Sequence, residues 1–399
     1  MTQAVAEATG SHRGMRAGSA PAAATPETRD ADPGVRRSIR TGLTYFAAYR
    51  VVTLAVAVVG GLGANVFGLL RHQPSLLGGL FHHYDAVWFN VIADQGYASQ
   101  GLAAFPPLFP LASRGVGAVL HINSLAAGML VSSLCLAGAL VVLHRLVTLQ
   151  LGERTATTTL FLLLAWPSAV FLALPYAEAP FLLLLAGAFL AAQRRRWWLA
   201  GVCIGLAAMC KTWAALLTLA IAVEYMEARR WRWRDVRADA ALLFVPTALA
   251  MGGWMLYLQH RFGQPLLFLT IEKQWGKRAS FPWGGVEQGI TNVLHSPERL
   301  VMSLDLLAIA IIAVAAVVAF LHLRRSYGVM LAIAGLAFTT THDITSVSRF
   351  MADLFPVFIL GALAARRWPQ VLERLLAPAG FMAAGILLVG FAQDHWAGG

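Results

Sequence analysis

Four ionisable residues stand where this chain is otherwise apolar. Asp85 lies in the stretch FHHYDAVWFNVIADQGY, just beyond the first long apolar segment. Glu178 and Arg349 lie in short polar interruptions of later segments, and Lys211 is a lone lysine inside one. Ionisable side chains at membrane depth are costly, so they usually face a cavity or a charged partner. A carboxylate can take a proton from a hydroxyl, and lysine or arginine can stabilise a phosphate, so these types could build one catalytic site.

The amino-acid composition indicates whether the protein lies in water or in a membrane. Of 399 residues, 58% are hydrophobic and 13% are charged, about half of the ~25% charged share of a soluble protein. We therefore predict an all-α polytopic membrane protein in contact with the lipid bilayer. The net charge of +11 comes largely from short arginine runs between apolar segments, which is where the positive-inside rule expects them. We accordingly predict no nucleic-acid partner.

The arginine runs also predict a topology in the cell membrane. Residues 1–38 read as a disordered cytoplasmic tail, and residues 39–399 as a single integral membrane domain. We predict about nine full transmembrane helices, each long enough for a hydrocarbon core of about 30 Å. They are 41–63, 125–147, 156–174, 177–193, 239–260, 299–323, 327–342, 349–365 and 378–394. A long first outer loop, 70–122, should carry short interfacial helices, and shorter outer loops should lie at 261–298 and 343–348.

One further segment fits two short helices better than one span. It lies between the arginines of 194–196 and those of 228–237, both on the cytoplasmic side by charge, and CKTW interrupts it. A single span would put a strongly basic loop outside. Two half-length helices rising roughly 20 Å each would place the turn at Lys211 in the outer part of the membrane.

This topology collects the remaining polar candidates on the outer face. They are His83, Tyr84, Trp88, Lys273, Gln274, Trp275 and Lys277, together with the four residues above. Each has a plainer interpretation. Asp85 and Glu178 could be helix caps with no further role, and Arg349 could simply be the residue at which a helix ends. Trp88 could belong to an interfacial aromatic belt, and the histidines are more typical of interfacial polar residues than of a metal site.

The order of four motifs along the chain resembles that of the PIG-V-like mannosyltransferases. YDAVWFNVIADQGY followed by AFPPLFPLASR is similar to the first outer loop of that family, and LPYAEAPFLLL to its Pro-Tyr-x-Glu hairpin. FLTIEKQWGKRASFPWGG and SVSRFMADLFPVF resemble two later elements. Two departures are visible: Tyr84 replaces the usual tryptophan before the aspartate, and CKTWAAL stands where a basic residue followed by Pro or Gly is typical.

The resemblance implies a GT-C glycosyltransferase that moves mannose from polyprenyl-phosphate-mannose to an acceptor at the outer face. The acceptor, which the sequence does not identify, would be a glycolipid, a polysaccharide or a protein. Asp85 would then be the catalytic base of an inverting transfer. Lys211 and Arg349, with Lys273 and Lys277 behind them, would bind the donor phosphate.

The remaining candidates would hold the sugar or the acceptor. They are His83, Tyr84, Trp88, Glu178, Gln274 and Trp275. We expect no cofactor; a divalent metal stays an open alternative that these candidate residues do not support. Two alternatives stay open at this point. A secondary transporter would also use a broken helix pair, although it should show two similar halves, and an inactive scaffold could keep the same fold.

Overall fold

A computed structural model describes residues 33–66, 76–274, 277–295 and 299–395. This part of the chain is helical and contains no β-strand apart from an isolated bridge between Ala279 and Thr341. The predicted all-α membrane class is therefore confirmed. The first helix, α1, begins at Pro33, so the start of the helix precedes the predicted boundary of the tail at residue 38. Residues 1–32 lie outside the described residues.

Eighteen α-helices are described, several of them a single turn or two. They are α1 Pro33–Val66, α2 Leu76–Phe81, α3 Asp85–Gln95, α4 Leu108–Leu120, α5 Ser124–Leu151, α6 Glu153–Ala165, α7 Glu178–Gln193, α8 Trp197–Ala208, α9 Thr218–Ala228, α10 Ala241–Phe262, α11 Leu267–Gln274, α12 Gly284–His295, α13 Arg299–His322, α14 Arg325–Thr339, α15 Val347–Met351, α16 Phe355–Ala365, α17 Pro369–Val371 and α18 Ala377–Ala392. The predicted long first loop contains α2, α3 and α4.

Fewer helices are long enough to cross a membrane than we predicted. Among the described residues, five have the length and composition, and a bent pair makes a sixth if it counts as one span. The five are Pro33–Leu62, Ser124–Leu151, Ala238–Phe262, Arg299–His322 and Pro369–Ala392. The other predicted spans form shorter apolar helices, α7, α14 and α16 among them. Breaks near the ends of these segments shorten them, and the site lies at those breaks.

The bent pair replaces the predicted straight span 156–174. Helix α6 ends at Ala165, and a 3₁₀ segment, Pro167–Ala173, continues at an angle of 93°. Trp166 between them has an extended backbone (φ −65°, ψ 130°), because a following proline disfavours the helical conformation. The bend carries the 3₁₀ segment towards α15 and α18.

The predicted break at Lys211 is present. Lys211 has an extended backbone (φ −145°, ψ 111°) between α8 and a 3₁₀ segment, Thr212–Leu217, which leads into α9. Helix α8 packs closely on α10, where a Cβ added at Gly205 would lie 2.9 Å from the carbonyl oxygen of Pro246. A small residue is needed for such an approach between membrane helices. This packing fixes the end of α8 from which Lys211 projects.

Lys211 and the arginine runs lie at opposite ends of the helices that connect them. Helix α7 runs from Glu178 to Gln193 and is followed by the arginines of 194–196. Helix α8 returns from Trp197 towards Lys211. At 1.5 Å per residue, α7 separates its two ends by about 24 Å. The molecule therefore has a basic end and a second end that carries Glu178 and Lys211.

Candidate active site

Five charged side chains from distant parts of the chain meet in one group, the charged cluster: Asp85, Glu178, Lys211, Arg349 and Asp353. Arg349 Nη1 donates to Asp85 Oδ2 at 2.8 Å, and Arg349 Nε lies 3.0 Å from Glu178 Oε1. Lys211 Nζ lies 3.2 Å from the same Glu178 oxygen and donates to Asp353 Oδ2 at 2.5 Å. Three carboxylates thus alternate with two cations.

Breaks and helix ends position these side chains. Asp85 and Glu178 are the first residues of α3 and α7, where the helix dipole favours negative charge. Neither is the N-cap residue, since Tyr84 and Ala177 occupy those positions without a side-chain cap bond. Both carboxylates instead contact Arg349. The structure therefore does not show the alternative in which these acids only cap helices.

Exposure differs sharply across the cluster. The side chains of Glu178, Asp353, Lys211 and Arg349 are at most 8% exposed, whereas that of Asp85 is 22% exposed. Asp85 is thus the carboxylate of the cluster that a second substrate could reach. A base must come within hydrogen-bond reach of the proton that it removes, so this difference favours Asp85 for that role.

The hydrogen bonding of the cluster is incomplete. Glu178 Oε2 and Asp353 Oδ1 are buried and have no hydrogen-bond partner among the described residues. Arg349 Nε is close to Glu178 but does not point along a hydrogen bond, so it too lacks a bonding partner in this part of the chain. Buried polar atoms are usually paired, and unpaired ones concentrate where a protein has a function. The cluster therefore has capacity for a polar ligand.

Aromatic rings surround the two cations. Phe350 lies between them, with its ring centre 4.2 Å from Lys211 Nζ and 4.9 Å from the guanidinium carbon of Arg349. The rings of Phe171 and Tyr176 lie 5.5 and 5.4 Å from the same carbon. Such contacts attract cations and keep water away from them, which strengthens their action on an anion.

The two other predicted phosphate-binding lysines lie apart from these contacts. Lys277 Nζ donates to the carbonyl oxygens of Asp343 and Thr345 at 3.0 and 2.8 Å. Burial lowers the pKa of Lys277, and the carboxylate of Asp343, 3.9 Å away, acts in the opposite direction. Lys273 is exposed in the last turn of α11. Lys277 thus holds the loop that precedes α15.

Three candidates for sugar or acceptor binding have other contacts. His83 lies 3.0 Å from the carbonyl oxygen of Gly79 and 2.9 Å from Asp394 Oδ1, so it connects α2 with the end of α18. Tyr84 has a positive φ (51°), a strained conformation for this residue type that turns the chain into α3. Trp88 is 38% exposed and stacks loosely on Phe105, with ring centres 6.4 Å apart.

Two further predictions cannot be placed. Trp275 lies outside the described residues, and Gln274 is described only as the last residue of α11. Within the described ranges, no group of three or more His, Cys, Asp or Glu side chains is arranged to hold a metal ion.

Sequence reasoning missed two buried acids, Asp353 and Asp305, both 0% exposed. Asp353 lies within the quoted motif SVSRFMADLFPVF, four residues after Arg349. Asp305 is the only charged residue in the interior of α13. An acid within an apolar helix is by itself a sign of function, and that sign was available in the sequence.

The comparisons with known proteins place the chain among glycosyltransferases. The model of glycosyltransferase family 87 matches residues 104–342. This match includes Glu178 and Lys211, whereas Asp85, Arg349 and Asp353 lie outside it. No curated protein matches the chain. The resemblance to PIG-V-like proteins is thus supported as far as a glycosyltransferase, and the matching family is a different one.

Solved membrane glycosyltransferases share a loose structural likeness with the chain. ArnT from Cupriavidus metallidurans bound to undecaprenyl phosphate is 15% identical, with 86% of this chain and 76% of that chain covered and a TM-score of 0.46. AglB, an oligosaccharyltransferase from Archaeoglobus fulgidus in complex with an inhibitory peptide and a dolichol-phosphate, is 12% identical. There the cover is 87% of this chain and 56% of that chain, with a TM-score of 0.40. At these TM-scores the likenesses carry no functional argument.

Proposed function

Because the chain belongs to glycosyltransferase family 87, we propose that it moves mannose from polyprenyl-phosphate-mannose to an acceptor hydroxyl at the outer face of the cell membrane. The observation that carries this proposal is the charged cluster, in which one reachable carboxylate adjoins two cations. A transfer of this kind needs a base for the acceptor and positive charge for the departing phosphate.

Asp85 is the proposed base. The acceptor oxygen attacks C1 of the sugar on the face opposite the phosphate, and its proton passes to a carboxylate oxygen of Asp85. The bond between C1 and the phosphate oxygen breaks, and its electron pair leaves with the polyprenyl phosphate. The configuration at C1 is inverted by this single displacement. A positioned base contributes ~10² or more to such a step.

Lys211 and Arg349 are the proposed partners of the phosphate. Both cations lie against one oxygen of Glu178, at 3.2 and 3.0 Å, so they are close enough together for one phosphate beside Glu178 to contact both. The departing phosphate gains negative charge in the transition state, and fixed cations in a water-poor site stabilise that charge. Arg349 also contacts Asp85, which holds the base beside the phosphate-binding group.

An apolar groove beside the site supports a lipid-linked donor. The groove has a volume of about 380 Å³ and lies between α1, the bent pair and α18. Val170 lines it, and the next residue, Phe171, has its ring 5.5 Å from the guanidinium carbon of Arg349. We place the polyprenyl chain in this groove. Each buried methylene of such a chain contributes roughly 0.8 kcal/mol.

Donor choice tests the proposal. Purified protein in nanodiscs is given labelled polyprenyl-phosphate-mannose or labelled GDP-mannose, with a membrane extract from its own cells as the source of acceptor. We expect transfer from the lipid-linked donor and none from GDP-mannose, which has no chain for the groove. A second lipid-linked hexose tests whether mannose is the sugar. Efficient use of GDP-mannose, or no transfer from any lipid-linked sugar, would refute the proposed donor.

The proposed orientation has the N-terminus in the cytoplasm and the site outside. Single cysteines at Ser99, in the loop after α3, and at Arg230, at the basic end, test it in a variant without native cysteines; both positions are exposed. An impermeant thiol reagent added to intact cells should label Ser99→Cys alone. Labelling of Arg230→Cys alone would reverse the orientation and place the site in the cytoplasm.

A further inference from the structure

Asp305 is a buried acid whose contacts lie in the backbone just before Arg349. Its side chain is fully buried inside α13. One oxygen accepts from the backbone N–H of Ser348 at 2.7 Å, and the other from the N–H of Ser346 at 3.2 Å. Burying a carboxylate is costly unless hydrogen bonds satisfy it. The bonds to these two amides therefore fix the segment to α13.

The segment needs such support. Ser346 has a left-handed backbone (φ 74°), which costs free energy for a residue other than glycine. Helix α15, which carries Arg349, has five residues, too few to be stable without outside contacts. Its shape must therefore be imposed by neighbouring elements.

Ser348, the residue before Arg349, is held from a second direction. Trp166 Nε1 donates to the carbonyl oxygen of Ser348 at 2.8 Å, and Ser168 Oγ donates to Ser348 Oγ at 3.1 Å. Both partners belong to the bent pair. Ser348 is thus hydrogen-bonded both to Asp305 in α13 and to residues of the bent pair.

From these contacts we infer that Asp305 is a positioning residue that sets the direction of Arg349 in the charged cluster. The inference rests on the proposed function, because it gives Arg349 a role in transfer. If the hydrogen bonds from the two backbone N–H groups to Asp305 are weakened, the segment from 346 to 348 shifts. The guanidinium of Arg349 then moves away from Asp85 and Glu178. A displacement of about 1 Å at a catalytic group can cost as much as ~10² in rate.

The test compares Asp305→Asn with a matched change of a buried acid far from the site. Asn keeps the shape of the side chain but replaces one acceptor oxygen with a donor that faces an N–H group. Glu224→Gln is the control, because Glu224 is 2% exposed and its partners, Arg324 and Ser326, lie at the basic end. Each variant is purified in nanodiscs, and kcat, KM and hydrogen–deuterium exchange are measured.

We expect Asp305→Asn to lower kcat roughly 10- to 100-fold with less change in KM, and to speed exchange in residues 345–351. Glu224→Gln should leave kcat per folded molecule and the exchange in residues 345–351 close to their parent values. In a double-mutant cycle, adding Asp305→Asn to Arg349→Lys should cost far less than Asp305→Asn costs alone, because one side chain acts through the other. Additive losses would show that Asp305 does not act through Arg349.

The remaining outcomes separate the two proposals. Parental kcat in Asp305→Asn, or exchange at 345–351 equal to that of the parent, would overturn the positioning role while leaving the proposed function intact. If Asp305→Asn yields no folded protein although Glu224→Gln does, Asp305 is a folding residue and the inference is wrong. An inactive parent protein would refute the proposed function, and the exchange measurement alone would then show whether Asp305 holds the segment.

Discussion

The charged cluster and the Glu224 clasp, formed by Glu224, Arg324 and Ser326, each contain a buried glutamate, yet they are built differently. In the clasp, Glu224 Oε1 accepts from Arg324 Nε at 2.6 Å and from Ser326 Oγ at 2.5 Å, and its second oxygen accepts from Arg324 Nη2. Both oxygens are therefore paired, and the bonds join the end of α9 to the start of α14. In the cluster, Glu178 and Asp353 each keep a buried oxygen without a hydrogen-bond partner in the described structure.

This difference separates an interaction that holds helices together from one that prepares a reaction. A fully paired carboxylate has little left to offer a ligand, and its loss should show mainly in stability. The charged cluster is incompletely paired, and Asp85 at its edge is partly exposed. Substitutions in the cluster should therefore lower turnover. Perturbed and imperfectly satisfied ionisable groups are found at functional sites more often than elsewhere.

The largest effect should come from breaking the cluster at Lys211. Lys211→Met removes the cation and leaves Glu178 and Asp353 facing each other's charge in a buried site. We expect a loss of about 3–5 kcal/mol in stability and of ~10² or more in turnover, measured by thermal unfolding and by mannose transfer in the same nanodiscs.

A second substitution separates the two losses. Asp353→Asn in the Lys211→Met background removes one of the unpaired charges, so it should recover much of the stability. Turnover should stay low because the phosphate still lacks its cation. If turnover returned along with stability, Lys211 would matter for folding and not for the leaving group.

Glu224→Gln should have an intermediate effect that falls on stability. The amide cannot pair with both donors of Arg324, so we expect a loss of about 1–3 kcal/mol, seen as a lower unfolding temperature in detergent. Turnover per folded molecule should stay within about twofold of the parent value, since Glu224, Arg324 and Ser326 lie at the basic end, away from the charged cluster. A loss of turnover as large as that of Lys211→Met would remove the distinction between the two regions.

Lys277→Met should lower turnover far less than Lys211→Met does. It removes two hydrogen bonds to the carbonyls of Asp343 and Thr345, each worth about 1 kcal/mol. We expect a few-fold fall in kcat/KM, because the loop lies just before α15. Arg278→Met is the neighbouring control, since its side chain is exposed. A fall near ~10² for Lys277→Met would return Lys277 to the phosphate site.

Part of this arrangement could be predicted from sequence. An apolar composition and arginine runs indicate membrane helices and their order, and the interruption at CKTW indicates a broken pair. The placement of Asp85, Glu178, Lys211 and Arg349 at one end followed from the same topology, and the structure brings these four into contact. Their roles in transfer stay predictions.

The rest depends on three-dimensional contacts that a single sequence does not display. Pro167 marks a break, but the sequence shows neither the 93° angle nor the contacts of the 3₁₀ segment with α15 and α18. The sequence shows Lys211 as a lone cation without a partner. In the structure, the carboxylate of Asp353, 142 residues further along the chain, accepts a hydrogen bond from it. Asp305 serves backbone amides, and amides are present at every position except proline. Its partners could therefore not be read from residue types.

The most direct test of the site is the turnover of Asp85→Asn beside that of Asp94→Asn. Both acids lie on α3, but Asp94 pairs with Ser124 and Asn90, whereas Asp85 contacts Arg349. With polyprenyl-phosphate-mannose in nanodiscs, Asp85→Asn should remain folded and lose ~10² or more in turnover, while Asp94→Asn should keep most of the parent rate. Near-parental turnover in Asp85→Asn would contradict the account. The catalytic base would then be a residue other than the carboxylate that contacts Arg349.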